Sequence, residues 1–200
     1  LGQPLLIKTG VFLSTTGLML SVPEKLRADS ADFYFDRGLE RGVNGDYYGA
    51  IYDFTKVIEI NPNNAIAFYN RGLAKNNLKD YYGAISDYTK AIEINPNNVN
   101  AFYNRGFAKG KLKEYYGAIS DYTKAIEINP NYAKAYNNRG LAKNNLKDYY
   151  GAISDYTKAI EINPQKDNAY INRGIAKENI SDLKGACSDW RQAIYLSPNA

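Results

Sequence analysis

Along residues 99–132 apolar side chains recur at three- and four-residue steps: Phe102, Phe107 and Leu112 on one stretch, then Tyr115, Ala118, Ile119, Tyr122, Ala125 and Ile126 on the next. That spacing puts each set on one face of a helix and predicts two amphipathic α-helices. Between them lies the polar step LKE, replaced elsewhere by LKD or NGD. An acidic residue opens each second stretch (Asp46, Asp80, Glu114, Asp148, Asp182). Aspartate can cap a helix there, and either acid favours the positive end of its dipole. The second stretch stops at Asn-Pro, since proline disfavours helix at the residue before it.

The same pattern repeats at a longer period. Arg-Gly recurs at 37/38, 71/72, 105/106, 139/140 and 173/174, a constant step of 34. Asn-Pro keeps that step at 61/62, 95/96, 129/130 and 163/164, and Ser197-Pro198 continues it. Residues 31–200 therefore divide into five repeats, 31–64, 65–98, 99–132, 133–166 and 167–200, after an N-terminal hydrophobic segment, residues 1–30. Residues 70–96 recur without change as residues 138–164. A catalytic constellation gains nothing from an exact internal copy, whereas a stack of repeats gains more of the same surface. Two helices this short cannot bury their apolar faces alone, so the expected architecture is an all-α stack.

Position by position the repeat carries an aromatic at 4 (Tyr34, Phe68, Phe102, Tyr136, Tyr170), Gly at 8 and Ala at 20. Position 24 holds Phe54, Tyr88, Tyr122, Tyr156 or Trp190, and position 32 is Pro. This pattern resembles the tetratricopeptide repeat (TPR) over 170 of the 200 residues. The resemblance implies a right-handed α-solenoid of five helix-turn-helix units. It also implies a non-catalytic scaffold or assembly factor that binds a protein or peptide partner in a concave groove lined by the first helices. Carried over to this chain, the peptide-binding positions are Tyr69, Leu73, Asn76, Tyr103, Phe107, Lys111, Asn137, Leu141 and Asn144. They describe an apolar and aromatic floor with an asparagine edge. Family members that grip the C-terminal carboxylate of chaperones carry Lys at position 5 and Asn at position 9. Here position 5 is Phe35, Tyr69, Tyr103, Asn137 and Ile171, and position 9 is aliphatic or Phe107, so that type of partner is not expected.

Two departures from the family pattern are regular. Position 7, usually leucine, is arginine in every repeat, and position 11, usually tyrosine, is Lys or Arg. In an antiparallel pair that matches positions 11 and 20, position 7 faces 23 or 24, and position 23 is always Asp. The expected ion pairs are Arg37 with Asp53, Arg71 with Asp87, Arg105 with Asp121, Arg139 with Asp155 and Arg173 with Asp189, each a charged hydrogen bond joining the helices.

Composition removes most chemistry. With no His the commonest general base and metal ligand are absent, and the single Cys187 excludes an intramolecular disulfide or a paired-cysteine metal site. No catalytic residue, metal site or cofactor is expected, and Cys187, standing where other repeats carry Ile, reads as a small buried hydrophobe. The formal charge of +4 comes from interspersed residues rather than a basic stripe. This argues against a helical-repeat RNA binder. Residues 1–30 include the run KTGVFLSTTGLMLSV, which fits an export signal, a membrane or partner contact, or a cap on the first repeat. The alternative function is accordingly a subunit of a membrane complex attached through residues 5–22. Localisation is exported or membrane-associated if the segment acts as a signal, and cytoplasmic if it does not. The last repeat departs most from the others and no further polar helix follows it, leading to the expectation of a fragment or of a partner at that end.

Overall fold

The structure, a computed structural model, describes residues 30–197. Among the described residues it contains ten α-helices and no strand: α1 Ala31–Val43, α2 Tyr47–Ile60, α3 Ala65–Asn77, α4 Tyr81–Ile94, α5 Val99–Lys111, α6 Tyr115–Ile128, α7 Ala133–Asn145, α8 Tyr149–Ile162, α9 Asp167–Asn179 and α10 Leu183–Leu196. They fall in two compact units, one ending at Pro62 and one beginning at Asn63. In the first, α1 pairs with α2; in the second, four helix pairs stack, each second helix packing on its own partner and on the first helix of the next repeat. No helix of the described residues is long and apolar enough to cross a membrane. The signal, attachment and capping readings of residues 1–30 lie outside the described residues, except that Ser30 Oγ accepts from Phe33 N–H at 3.1 Å and caps α1.

Local chemistry fixes the helix boundaries. The carboxylates of Asp46, Asp80, Asp148 and Asp182 accept the N–H groups of Gly49, Gly83, Gly151 and Gly185 at 2.9 to 3.0 Å, closing the first turn of four of the five second helices. A methyl group on Gly83 would run into the Asp80 carboxylate, which is why glycine follows the cap. Glu114, one methylene longer, forms no such bond. Each first helix ends with Lys79, Lys113, Lys147 or Ser181 in the left-handed region at φ of 63 to 65°, where the first repeat has Gly45. That conformation lets Asp80 N–H reach back to Lys75 O at 2.9 Å and reverses the chain within three residues.

Small and large residues interlock inside each pair. A methyl group on Gly72 would lie 2.8 Å from Tyr88 Cε1, and the same contact at Gly140 is with Tyr156. Ala84, Ala118, Ala152 and Ala186 are solvent-free, as are Tyr88 and Tyr156. Between repeats, Phe102, Ala125, Ile126 and Ala135 form a buried cluster sealed by Tyr132 and Tyr136. Burial of their hydroxyls pushes the Tyr88, Tyr122 and Tyr156 phenols well above the usual tyrosine range.

Cys187 corrects the sequence reading: it is exposed, not buried. Its counterparts Ile119 and Ile153 pack against clusters that include Ala142 and Ala176 of the following repeat. No described helix follows α10 to cover Cys187 in that way.

Candidate functional site

Each repeat of the second unit is built around one buried carboxylate. Asp87 accepts Arg71 Nε at 2.9 Å and Nη2 at 2.7 Å, a two-pronged contact between α3 and α4, and Lys75 Nζ lies 2.7 Å from the same group. Asp121 is held by Arg105 and Lys109, Asp155 by Arg139 and Lys143, and Asp189 by Arg173 and Lys177. In the first unit Arg37 and Arg41 both reach Asp53. The lysine at position 11 thus replaces the family tyrosine with a second cation on the aspartate. For Asp189, burial raises the carboxyl, but Arg173 and Lys177 outweigh it and hold it below the usual range. These side chains lock helices together and leave no carboxylate free for acid–base work at these positions.

The arginine also joins neighbours. Arg105 Nη1 donates to Thr89 Oγ1 at 3.1 Å, and Arg139 and Arg173 reach Thr123 and Thr157 at 3.0 Å. Thr89 and Thr157 in turn donate to the carbonyls of Ile85 and Ile153 at 2.8 Å, which orients the hydroxyl lone pairs toward the incoming arginine. A second seam runs along the first helices. Asn104 Nδ2 donates to Tyr69 Oη at 3.0 Å, Asn138 Nδ2 to Tyr103 Oη at 2.9 Å and Asn172 Nδ2 to Asn137 Oδ1 at 3.2 Å. Burial moves the Tyr69 and Tyr103 phenols up, against the opposing asparagine bond.

These seams assign several of the expected peptide-binding residues to the scaffold. Tyr69, Tyr103 and Asn137 accept hydrogen bonds from the next repeat with the polar ends a ligand would use. Asn76 Oδ1 and Asn144 Oδ1, in the two identical stretches, are buried without a hydrogen-bond partner. Asn77 and Asn145 donate back to their own helix, at Leu73 O and Leu141 O. Of the asparagine edge, Asn77, Asn137 and Asn145 are occupied by internal bonds, while Asn76 and Asn144 keep a buried acceptor without a partner.

Two depressions open on the first-helix face. One, about 160 Å³, is lined by Phe107, Gly110, Lys111, Tyr115, Tyr122 and Leu141 among others, with Asn138 and Asn145 at its polar side. The other, about 200 Å³, is lined by Tyr103, Lys134, Asn137, Asn138, Asn163 and Lys166 with alanines at its base. Asn138 belongs to both, so they adjoin. They bring together Phe107, Lys111 and Leu141 on one side and Tyr103 and Asn137 on the other; Tyr69, Leu73, Asn76 and Asn144 line neither.

The sequence reading missed two features here. Lys134 and Lys166 are exposed beside the expected Lys111, and although Lys166 attracts the neighbouring Asp167 carboxylate, the edge is more basic than the interspersed charges implied. Positions 2 and 34, which bring in Lys134 and Lys166, vary from repeat to repeat and are invisible to a periodic reading. The asparagine at position 6 faces the neighbouring repeat, a relationship that spacing within one repeat does not reveal. Among the described residues no group of His, Cys, Asp and Glu could hold a metal ion.

Models of the tetratricopeptide repeat match residues 65–98, 99–132 and 133–166, and a TPR repeat model matches residues 44–78. The chain belongs to the tetratricopeptide repeat family. No curated protein sequence matches it. Among solved structures it is similar to MamA protein, with 28% identity, a TM-score of 0.79, and coverage of 84% of this chain and 92% of that one. MamA 41-end from Desulfovibrio magneticus RS-1 shares the fold at 23% identity, with a TM-score of 0.80 and 84% and 95% coverage. YrrB, described as a TPR protein with an unusual peptide-binding site, does so at 21% identity, with a TM-score of 0.75 and 92% of each chain covered. A solenoid of tetratricopeptide repeats is a protein–protein interaction scaffold, and here the helix pairs of the second unit stack as such a solenoid.

Proposed function

We propose that this tetratricopeptide protein is a non-catalytic scaffold that holds a segment of a partner protein along the first-helix groove of residues 99–179. The observation that carries this reading is the pair of adjoining depressions, floored by rings and aliphatic side chains and edged by amides and exposed lysines. Such a surface fits an extended peptide or an amphipathic helix held by apolar anchors and side-chain hydrogen bonds. YrrB's described peptide-binding site gives the fold a precedent for that use. The buried aspartates at position 23 and the arginines at position 7, by contrast, are consumed in the interhelical locks, which supports a binding role rather than catalysis.

The test is crosslinking mass spectrometry on the protein with its captured partner, with Leu141→Ser combined with Lys111→Glu as the groove variant. Both positions are exposed, so circular dichroism should show an unchanged fold. Crosslinks on residues 99–179 and loss of the partner with the variant support the reading. Retention of the partner by the variant rejects it.

A further inference from the structure

The exact copies within the chain make one difference conspicuous. Position 12 is Asn76 and Asn144 in the two identical stretches, but Gly110 in the repeat between them. Without a side chain at Gly110, the groove opens there into the recess of about 160 Å³ whose walls are Phe107, Tyr115, Tyr122 and Leu141. A methyl group on Gly110 would stand 4.0 Å from the Tyr122 hydroxyl, so the glycine is not imposed by crowding. Its backbone φ is not in the left-handed region either, since it lies in the last turn of α5. Packing and backbone geometry thus leave the glycine unexplained, and what its absent side chain provides is the space.

The walls say what fits. Three of them are aromatic rings, which pair with another ring edge-to-face or offset, and the exposed Asn145 at the polar side puts an amide near the polar edge of an indole or phenol, the Asn138 amide and the Tyr122 hydroxyl being turned inward. Charge says what should flank it. Lys111 Nζ sits 5.1 Å above the Phe107 ring at the recess and makes no ion pair with a described residue, and Lys134 and Lys166 edge the adjoining depression. Residues 63–197 hold 19 Lys and Arg against 13 Asp and Glu, so the whole unit favours an anionic partner.

Resting on the groove reading above, we propose that the Gly110 recess is a specificity pocket for one aromatic side chain of an acidic peptide segment, with neighbouring carboxylates of that segment held by Lys111, Lys134 and Lys166. The anchor supplies the buried apolar contact and the lysines fix its direction along the groove.

The experiment titrates the whole chain, isotope-labelled, with the acetylated peptide Asp-Glu-Trp-Glu-Asp and follows amide shifts by nuclear magnetic resonance. Controls are Asp-Glu-Ala-Glu-Asp, Lys-Lys-Trp-Lys-Lys and N-acetyl-tryptophan amide. The expected result is a set of shifts centred on Phe107, Gly110, Leu141 and Asn145, with affinity falling at least about tenfold when Trp becomes Ala in the peptide. Gly110→Asn, which installs the residue of the two flanking repeats, should weaken binding to a similar degree, and Lys111→Glu, at an exposed position on the rim, should do so by removing the cation that faces the peptide carboxylates. Equal binding of both acidic peptides, with Gly110→Asn silent but the lysine peptide inactive, overturns the recess and leaves the groove reading standing. Binding of the free tryptophan amide as tight as the peptide overturns the peptide as occupant. No shift in any groove residue with any probe overturns the recess and the groove reading together.

Discussion

Arg105 bridges two repeats: its Nε and Nη2 hold Asp121 across the helix pair, at 2.9 and 2.6 Å, while its Nη1 reaches Thr89 of the preceding repeat at 3.1 Å. One side chain thus couples the packing inside a repeat to the packing between repeats. Asp121 is nearly solvent-free and faces two cations, Arg105 and Lys109. Replacing it with Asn leaves both without a counter-charge in a partly desolvated place. Asp121→Asn should therefore cost about 3 kcal/mol or more in chemical denaturation. Thr89→Val, which removes only the neutral acceptor, should cost about 1 kcal/mol. A smaller effect for the aspartate than for the threonine would mean that the ion pairs are not what holds the pair together.

Glu114 is the one acidic residue at its position that does not cap its helix. Glu114→Asp restores the side chain that bonds Gly83, Gly151 and Gly185 in other repeats. The expected gain is about 0.5 to 1 kcal/mol, read as a higher denaturation midpoint at unchanged slope.

Lys79, Lys113 and Lys147 occupy left-handed backbone that glycine adopts freely, as Gly45 does at φ 82°. Lys113→Gly should relieve that strain, offset in part by the greater freedom of the unfolded chain, for a net gain of a few tenths up to about 1 kcal/mol. Lys113→Val should lose stability, because a β-branched residue tolerates positive φ poorly.

Tyr88, Tyr122 and Tyr156 ionise above the ordinary tyrosine range because their hydroxyls are desolvated. Their folded pKa is raised, so the associated stability is complete below about pH 10, where the unfolded chain's tyrosines begin to ionise, and is lost as pH rises beyond it. Tyr132, in contact with Tyr103 at a ring separation of 5.0 Å, is pushed up to about 12 by burial first and then by Tyr103 and Tyr69. Ultraviolet tyrosinate absorbance should rise in two phases, the later one coinciding with loss of helical circular dichroism. A single phase complete before any helix is lost would contradict the burial.

The repeat step, the helix pairs and the arginine-to-aspartate geometry were legible because each is periodic: a residue type that returns every 34 positions announces its own role. The lysine at position 11 was visible as a departure from the family but not as a partner of the aspartate, since counting across an antiparallel pair matches 11 with 20 and ignores the reach of a four-carbon chain. The seam from Asn104 to Tyr69 was hidden because it joins residues 35 apart, one more than the period. Groove features suffered most. Lys134 and Lys166 break the repeat, and Gly110 shares its residue type at position 12 only with Gly42, so a reading that gains its power from repetition passes over them.

The central claim is that the groove around Phe107 and Lys111 is the binding surface. The seams advise against Tyr69→Ala or Tyr103→Ala as probes, since both hydroxyls join repeats and their loss would loosen the scaffold. The most direct measurement is crosslinking mass spectrometry of the captured complex, comparing the native chain with Lys111→Glu and Leu141→Ser combined, after circular dichroism has shown both to be equally helical. The account predicts crosslinks concentrated on residues 99–179 and a partner lost with the variant. A partner held equally by the variant, with crosslinks gathered on the second helices or on residues 1–30, would contradict it.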